Sequence, residues 1–232
     1  MLADLGGKPL IQHVWESAKR AKLLQRVLIA CDDAEVFRCA SRFGADVVMT
    51  NESHNSGSDR VAEAVVNLDC EVVLNIQGDE PFVHAQTIDD LAYAMASDAS
   101  VFVGTIVKPL STNEAADDPN VVKCVVDSRG DAIYFSRAAI PHIRDSKAAD
   151  SIVRYKHVGM YAYRKQFLLE FASWPTSALE LAEQLEQLRV LDRGYRIRTV
   201  VSHRESLAID TPLDLQKARL RFGEKNADSF AQ

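Results

Sequence analysis

The chain has 232 residues, 47% of them hydrophobic, enough for one substantial core and better suited to one large body than to two small ones. Its 27 lysines and arginines against 33 aspartates and glutamates give a formal charge of −6, the wrong sign for an electrostatic nucleic-acid binder. Cys31, Cys39, Cys70 and Cys124 form no C-x-x-C pair or zinc-spaced cluster, and the sequence carries no membrane-length apolar run or export signal. Reduced thiols, a cytoplasmic location and no membrane partner are therefore expected.

In chain order, Leu10, Ile11, Val14, Trp15 and Ala18 recur at helical spacing behind Pro9, predicting a first helix close to the start. Apolar runs at 26–31, 45–49, 72–76 and 101–107 read as buried strands, with helical periodicity between them, including 61–68. That alternation predicts an α/β sheet covered by helices on both faces. From Val121 the pattern changes: 121–127 and 132–136, joined by Ser128-Arg129-Gly130-Asp131, read as an antiparallel hairpin, and 155–163 as a further strand. Leucines at 179, 181, 185, 188 and 191 predict one amphipathic helix over 179–191, followed by a strand at 196–201. Thr211 and Pro212 suit the N-cap and first position of a last helix, and the polar tail after Phe222 predicts fraying. No repeat or linker divides the chain, so 1–232 reads as a single domain.

The segment most suited to chemistry is the strand 72–76 ending in Gln77-Gly78-Asp79-Glu80-Pro81. Ligands of open α/β sheets bind at the carboxyl ends of strands, so Asp79 there supplies a hard oxygen suited to Mg²⁺, and Gly78 permits a close backbone approach. A polar turn capped by an aspartate fits the same residues. Asp210, also behind a β run, would share the metal with Asp79 if the sheet brings them together; alone it reads as a neighbour of a helix cap. The loop Asn55-Ser56-Gly57-Ser58-Asp59-Arg60 offers amides, hydroxyls and a planar cation to an anion or nucleobase, or is simply a capped helix start. Alternation in 155–161 places His157, Gly159 and Tyr161 on one strand face, where they line a sugar pocket or form structural contacts; Arg137 is placed to face a substrate carboxylate.

The ordered set LADLGGKPLIQHVWE, ACDD, HNSGSDR, NIQGDEP, DPNVVKCVVD, AIYFSRAAIP, YKHVGMYAYR, LEQLRVL and IDTPLDL, spanning residue 2 to about 220, resembles the 3-deoxy-manno-octulosonate cytidylyltransferase family. The resemblance implies a three-layer Rossmann-like nucleotide-diphospho-sugar transferase fold, with a mixed, mainly parallel sheet and a smaller antiparallel β portion. It implies transfer of CMP from CTP to the sugar acid Kdo for lipopolysaccharide biosynthesis, with release of pyrophosphate. By motif it assigns Asp79 and Asp210 to Mg²⁺, and Arg60 to the nucleotide phosphates. Ala30, Asp32, Ser56 and Gly57 go to cytidine, and Gln77, Arg137, His157, Tyr161, Glu186 and Gln187 to the sugar acid. A homodimer contacting through the hairpin and the 155–163 strand is also implied. Members begin with a strand and a basic loop of the form R-x-x-S-x-R-x-P-G-K-P-L ahead of the segment matching Leu2 onwards, so a preceding stretch is expected to be missing from this chain. Two other readings remain open: a nucleotidyltransferase for another sugar or nucleotide, and a shortened relic that only binds or dimerises.

Overall fold

In the computed structural model, residues 1–54, 56–110, 116–145, 151–204, 207–209 and 211–229 are described. The single domain expected divides by its contacts into two compact units, one made of 1–67, 76–89 and 205–232, the other of 68–75 and 90–204.

The first unit opens with a small antiparallel turn, β1 (Asp4–Leu5) and β2 (Lys8–Pro9), around Gly6 and Gly7. Gly6 sits at φ 62°, and a Cβ there would stand 2.1 Å from a Phe222 ring carbon, so only glycine fits. Pro9, extended, ends the turn and admits helix α1 (Leu10–Arg20), which buries Leu10, Ile11, Val14 and Ala18. Strands β3 (Leu28–Cys31) and β4 (Asp46–Met49) pair in parallel across helix α2 (Ala34–Arg42), whose N-cap Asp33 accepts from the Glu35 and Val36 amides at 2.7 and 2.8 Å. Helix α3 (Gly57–Val65) follows. Ile11, Ile29 and Ala40 form one apolar cluster, with Trp15 and Phe43 against it; Leu5, Leu10, Phe82 and Ala218 form another. Among the described residues, no strand pairs with β3 on the edge away from β4.

In the second unit, β5 (Val72–Asn75) and helix α4 (Ala85–Ser97), whose later turns belong here, precede β6 (Val103–Pro109). The hairpin is found where expected, as β7 (Lys123–Val126) and β8 (Ala132–Ser136). Strand β9 (Tyr155–Arg164) organises the sheet: β6 pairs along one of its edges, and the other is shared by β5 at 161–164 and β7 at 155–156, all antiparallel. Among the described residues only β10 (Ile197–Val201) joins this sheet in parallel, on β6, so its antiparallel part is larger than the resemblance implies. Helices α5 (Lys165–Ala172), α6 (Ala178–Glu183) and α7 (Leu188–Asp192) complete the unit.

Two expectations are corrected here. The helix expected over 179–191 is broken into α6 and α7, because Gln184 adopts the left-handed φ of 53°. Leucine spacing alone did not reveal it, since Leu188 and Val190 bury on the far side of the break as they would in a continuous helix. In the first unit, the last helix, α8 (Pro212–Ser229), runs past Phe222 instead of fraying there. It starts as expected: the Asp214 amide donates to the Thr211 hydroxyl at 3.2 Å, and the Asp214 carboxylate accepts from Thr211 in return.

Candidate functional site

The nucleotide candidates lie in the first unit, and the structure brings them together. Ala30 and Cys31 end β3, and the β4 exit is tied to them through Thr50, whose amide and hydroxyl both donate to the Cys31 carbonyl at 2.9 and 3.1 Å. Ser56 caps α3 by accepting from the Asp59 amide at 3.1 Å, and Gly57 is the helix's first residue. One turn on, Arg60 reaches back to β3: its guanidinium donates to Asp32 at 2.5 Å and to the Thr50 hydroxyl at 2.7 Å. The arginine that the resemblance assigns to the phosphates is thus paired with an aspartate, and the bond joins the two segments assigned to cytidine. Arg60 is the more buried partner of the ion pair, its side chain 19% exposed against 40% for Asp32.

Gln77, Gly78 and Asp79 leave the carboxyl end of β5 as a turn closed by the Glu80 amide on the Gln77 carbonyl, 3.3 Å. Gly78 is buried against α1, where an added Cβ would lie 2.7 Å from the Ile11 Cδ1. The close approach expected of this glycine is real, although its neighbour is a core side chain. Asp79 is half-buried, and its carbonyl accepts from the Ile209 amide at 2.9 Å. Asp210 lies outside the described residues; it is the next residue in the chain after the one bonded to Asp79. Two sequence segments more than a hundred residues apart therefore meet at Asp79. No group of three or more potential metal ligands occurs among the described residues. Mg²⁺ commonly takes one or two carboxylates with the remaining oxygens from phosphates and water, and an aspartate at such a junction fits that donor chemistry.

The second unit holds the sugar-acid candidates other than Gln77. His157 and Tyr161 lie four residues apart on β9, which would separate their backbones by roughly 13 Å in a regular strand. Their rings are 5.2 Å apart because β9 bulges: Thr105 pairs with Tyr161 and Ile106 with Val158, leaving Gly159 and Met160 without partners on β6. The shared face expected from alternation is found, drawn in by an irregularity the alternation did not foretell. Burial pushes the His157 imidazole down to about 3, so the ring is neutral. Burial pushes the Tyr161 phenol well up, and the neighbouring Tyr163 and Glu186 add to the effect. The Thr105 hydroxyl is close enough to oppose that shift, yet the phenol meets no partner within hydrogen-bond geometry. The same holds for the side-chain amide nitrogen of Gln187, a residue only 6% exposed. The unpaired Tyr161 phenol beside the neutral histidine is a donor that a hydroxyl-bearing ligand satisfies.

Arg137 is engaged by protein carbonyls. Its Nε donates to the Glu183 carbonyl at 2.8 Å, one terminal nitrogen to Pro119 at 2.9 Å and the other to Gln184 at 3.4 Å. The fork gathers the end of α6 and the 118–121 turn. Glu183 answers by accepting from the Ser136 hydroxyl and the Arg137 amide, at 2.6 and 2.9 Å.

Several residues of this framework were missed in the sequence. Lys123 is fully buried, its ammonium donating to the Asp118 and Arg137 carbonyls at 2.9 and 2.5 Å, and burial pushes its pKa below the ordinary lysine value. Arg189 is likewise buried, bonded to both oxygens of Glu180, to the Trp174 carbonyl and to Glu186. The only signal available was a charged residue on an otherwise apolar face: Lys123 before Cys124-Val125-Val126, and Arg189 between Leu188 and Val190. Thr105, within an apolar strand, gave none.

A neutral His157 has a consequence for stability. Its value in the folded protein, about 3, lies below the ordinary 6.5, so on acidification the unfolded chain takes up that proton first. The stability it contributes is fully present above pH 6.5 and is lost as pH falls toward 3. Urea midpoints compared at about pH 7 and about pH 5 are expected to drop more in wild type than in His157→Gln. Equal drops would contradict a neutral buried ring.

Comparison with known proteins identifies the family. Residues 1–198 match the family model described as Cytidylyltransferase. A 3-deoxy-manno-octulosonate cytidylyltransferase of Geobacter sulfurreducens is 44% identical over 224 residues, covering 93% of this chain and 90% of the relative. A solved structure of CMP:2-keto-3-deoxy-manno-octonic acid synthetase complexed with CTP superimposes with a TM-score of 0.91 at 38% identity, covering 97% of this chain and 91% of that one. At 15% identity and a TM-score of 0.62, the 4-diphosphocytidyl-2C-methyl-D-erythritol synthase of Anaerococcus prevotii shares the fold, covering 95% of this chain and 91% of its own. The fold is therefore the Rossmann-like nucleotidyltransferase fold, and the site is of the cytidylyltransferase class. Within that class, the chain belongs to the 3-deoxy-manno-octulosonate cytidylyltransferase family.

Proposed function

We propose that this protein transfers CMP from CTP to a 3-deoxy sugar acid, 3-deoxy-manno-octulosonate (Kdo), and releases pyrophosphate, the step that activates this sugar for lipopolysaccharide biosynthesis. The observation that carries the reading is 44% identity with a relative of that name along nearly the whole chain. The unpaired Tyr161 donor beside His157 supports the sugar-acid assignment, and Gln187 is a second buried donor without a partner.

In this reading the sugar's anomeric hydroxyl attacks the α-phosphorus of CTP, and the protein's part is positioning and charge neutralisation. Asp79 and Asp210 hold Mg²⁺, which when bound neutralises phosphate charge and orients the triphosphate. Arg60, locked to Asp32 and Thr50, keeps the cytidine-facing ends of β3 and α3 in fixed register. His157, Tyr161, Glu186 and Gln187 orient the sugar acid, while Arg137 and Glu183 hold the segment that carries the last two. No helix among the described residues is long and apolar enough to cross a membrane. A cytoplasmic homodimer, contacting through the β7–β8 hairpin and β9, completes the reading; Ile133 on the hairpin is 58% exposed.

Pyrophosphate release, followed with Mg²⁺ and each of CTP, UTP, GTP and ATP against Kdo and an acylneuraminate, tests the assignment. CTP with Kdo is expected to exceed every other pair in kcat/KM by about tenfold or more. Equal rates with another pair would favour a different sugar nucleotidyltransferase, and no turnover with any pair would favour a non-catalytic chain.

A further inference from the structure

The bulge in β9 leaves Gly159 and Met160 with no register partner on β6. An unpaired backbone carbonyl in the interior needs a donor. The structure supplies one from the neighbouring strand: the Thr105 hydroxyl donates to the Met160 carbonyl at 2.8 Å. The same oxygen lies 3.0 Å from the Nε2 of His157.

A hydroxyl carries one hydrogen. Because that hydrogen is committed to a carbonyl, which can only accept, the contact with His157 closes only if the ring donates. Were Thr105 to donate to the ring instead, two oxygens 2.8 Å apart would face each other with no hydrogen between them. The ring is neutral, so a hydrogen on Nε2 leaves Nδ1 with a bare lone pair. Among the described residues Nδ1 has no hydrogen-bond partner. Phe135 and Tyr161 pack on the ring at 5.2 Å each and restrict its rotation.

We infer that Thr105 is a positioning residue: by donating to the Met160 carbonyl it fixes His157 as the Nε2–H tautomer and presents Nδ1 to the sugar acid as a hydrogen-bond acceptor. The inference deepens the sugar-acid reading of His157 and rests on it. It assigns the ligand group as well, because a neutral nitrogen lone pair accepts from a hydroxyl and repels a carboxylate. His157 therefore takes a sugar hydroxyl, and the acid group must be held elsewhere.

The test uses the whole protein with ¹⁵N-labelled histidine. Long-range ¹H–¹⁵N spectra of the free wild type are expected to show His157, assigned by its absence from His157→Gln, as the neutral Nε2–H tautomer. Thr105→Ser keeps the hydroxyl and should keep both that pattern and the wild-type KM values. Thr105→Val removes it, and should mix the tautomers and raise the KM for Kdo by about tenfold, the size of one neutral hydrogen bond, with the KM for CTP changed less than about twofold. An Nδ1–H or protonated pattern in wild type overturns the inference; if His157→Gln still raises the KM for Kdo, the sugar-acid reading survives it. If His157→Gln leaves that KM unchanged, the sugar-acid reading falls and the inference falls with it. Should Thr105→Val fail to fold, the wild-type spectrum and the Thr105→Ser constants still decide.

Discussion

Asp79→Asn is expected to lower kcat by about 10³-fold or more while shifting the melting temperature by only a few degrees. The size follows from the proposed reaction: a triphosphate is approached by an anionic sugar acid, so loss of a carboxylate proposed to hold Mg²⁺ would remove charge neutralisation where it matters most. The modest effect on folding follows from the geometry. Asp79 is tied to the C-terminal segment through its backbone, the carbonyl accepting from the Ile209 amide at 2.9 Å, and asparagine leaves that bond intact. The check is kcat/KM for pyrophosphate release beside a thermal melt. A variant with more than about a tenth of wild-type kcat would remove Asp79 from the centre of the reaction.

Arg189→Ala is expected to cost about 3–5 kcal/mol of folding stability, the largest such effect of any single substitution considered. The Arg189 side chain is 7% exposed and its partner Glu180 is 13% exposed. Removal of the guanidinium leaves a buried carboxylate and the Trp174 carbonyl without their donor, and also removes a cation centred 4.7 Å over the Phe171 ring. Arg189→Lys keeps the charge but cannot reproduce the fork that engages both Glu180 oxygens, so an intermediate loss is expected. Urea denaturation measures both. A loss below about 1 kcal/mol for the alanine variant would mean that the pair is screened as a surface pair is. Because Arg189 also holds Glu186, Arg189→Lys should raise the KM for Kdo more than that for CTP.

Much of the fold was legible in the sequence wherever a local rule and the tertiary structure agree. The apolar runs became β3, β4, β5 and β6, Pro9 and Pro212 opened their helices, and the hairpin fell on its turn residues. Two of the misses share one cause, a backbone event specified by distant partners. The break at Gln184 is held by Arg137, 47 residues upstream, and the bulge in β9 is answered by Thr105, 55 residues from Met160. Helical or strand periodicity cannot register either one. The same reason separates the parts of the site that could be read from those that could not. The ordered motifs assign roles to Asp79, His157 and Gln187; Lys123 and Arg189 stand in the same motifs without an assigned role and Glu183 stands outside them, and what these three do is known from what they touch. Arg137 and Arg60 show the opposite limit: the motif places them at the site, but it does not tell that their forks are turned toward protein carbonyls and an aspartate.

Asp79 and Asp210 are proposed to hold a divalent ion against the CTP phosphates, and Mn²⁺, which accepts the same oxygen donors, reports on this directly by electron paramagnetic resonance. With CTP present, wild type is expected to bind Mn²⁺, and Asp79→Asn and Asp210→Asn each to weaken that binding by about tenfold or more. Unchanged Mn²⁺ affinity in both variants would contradict it.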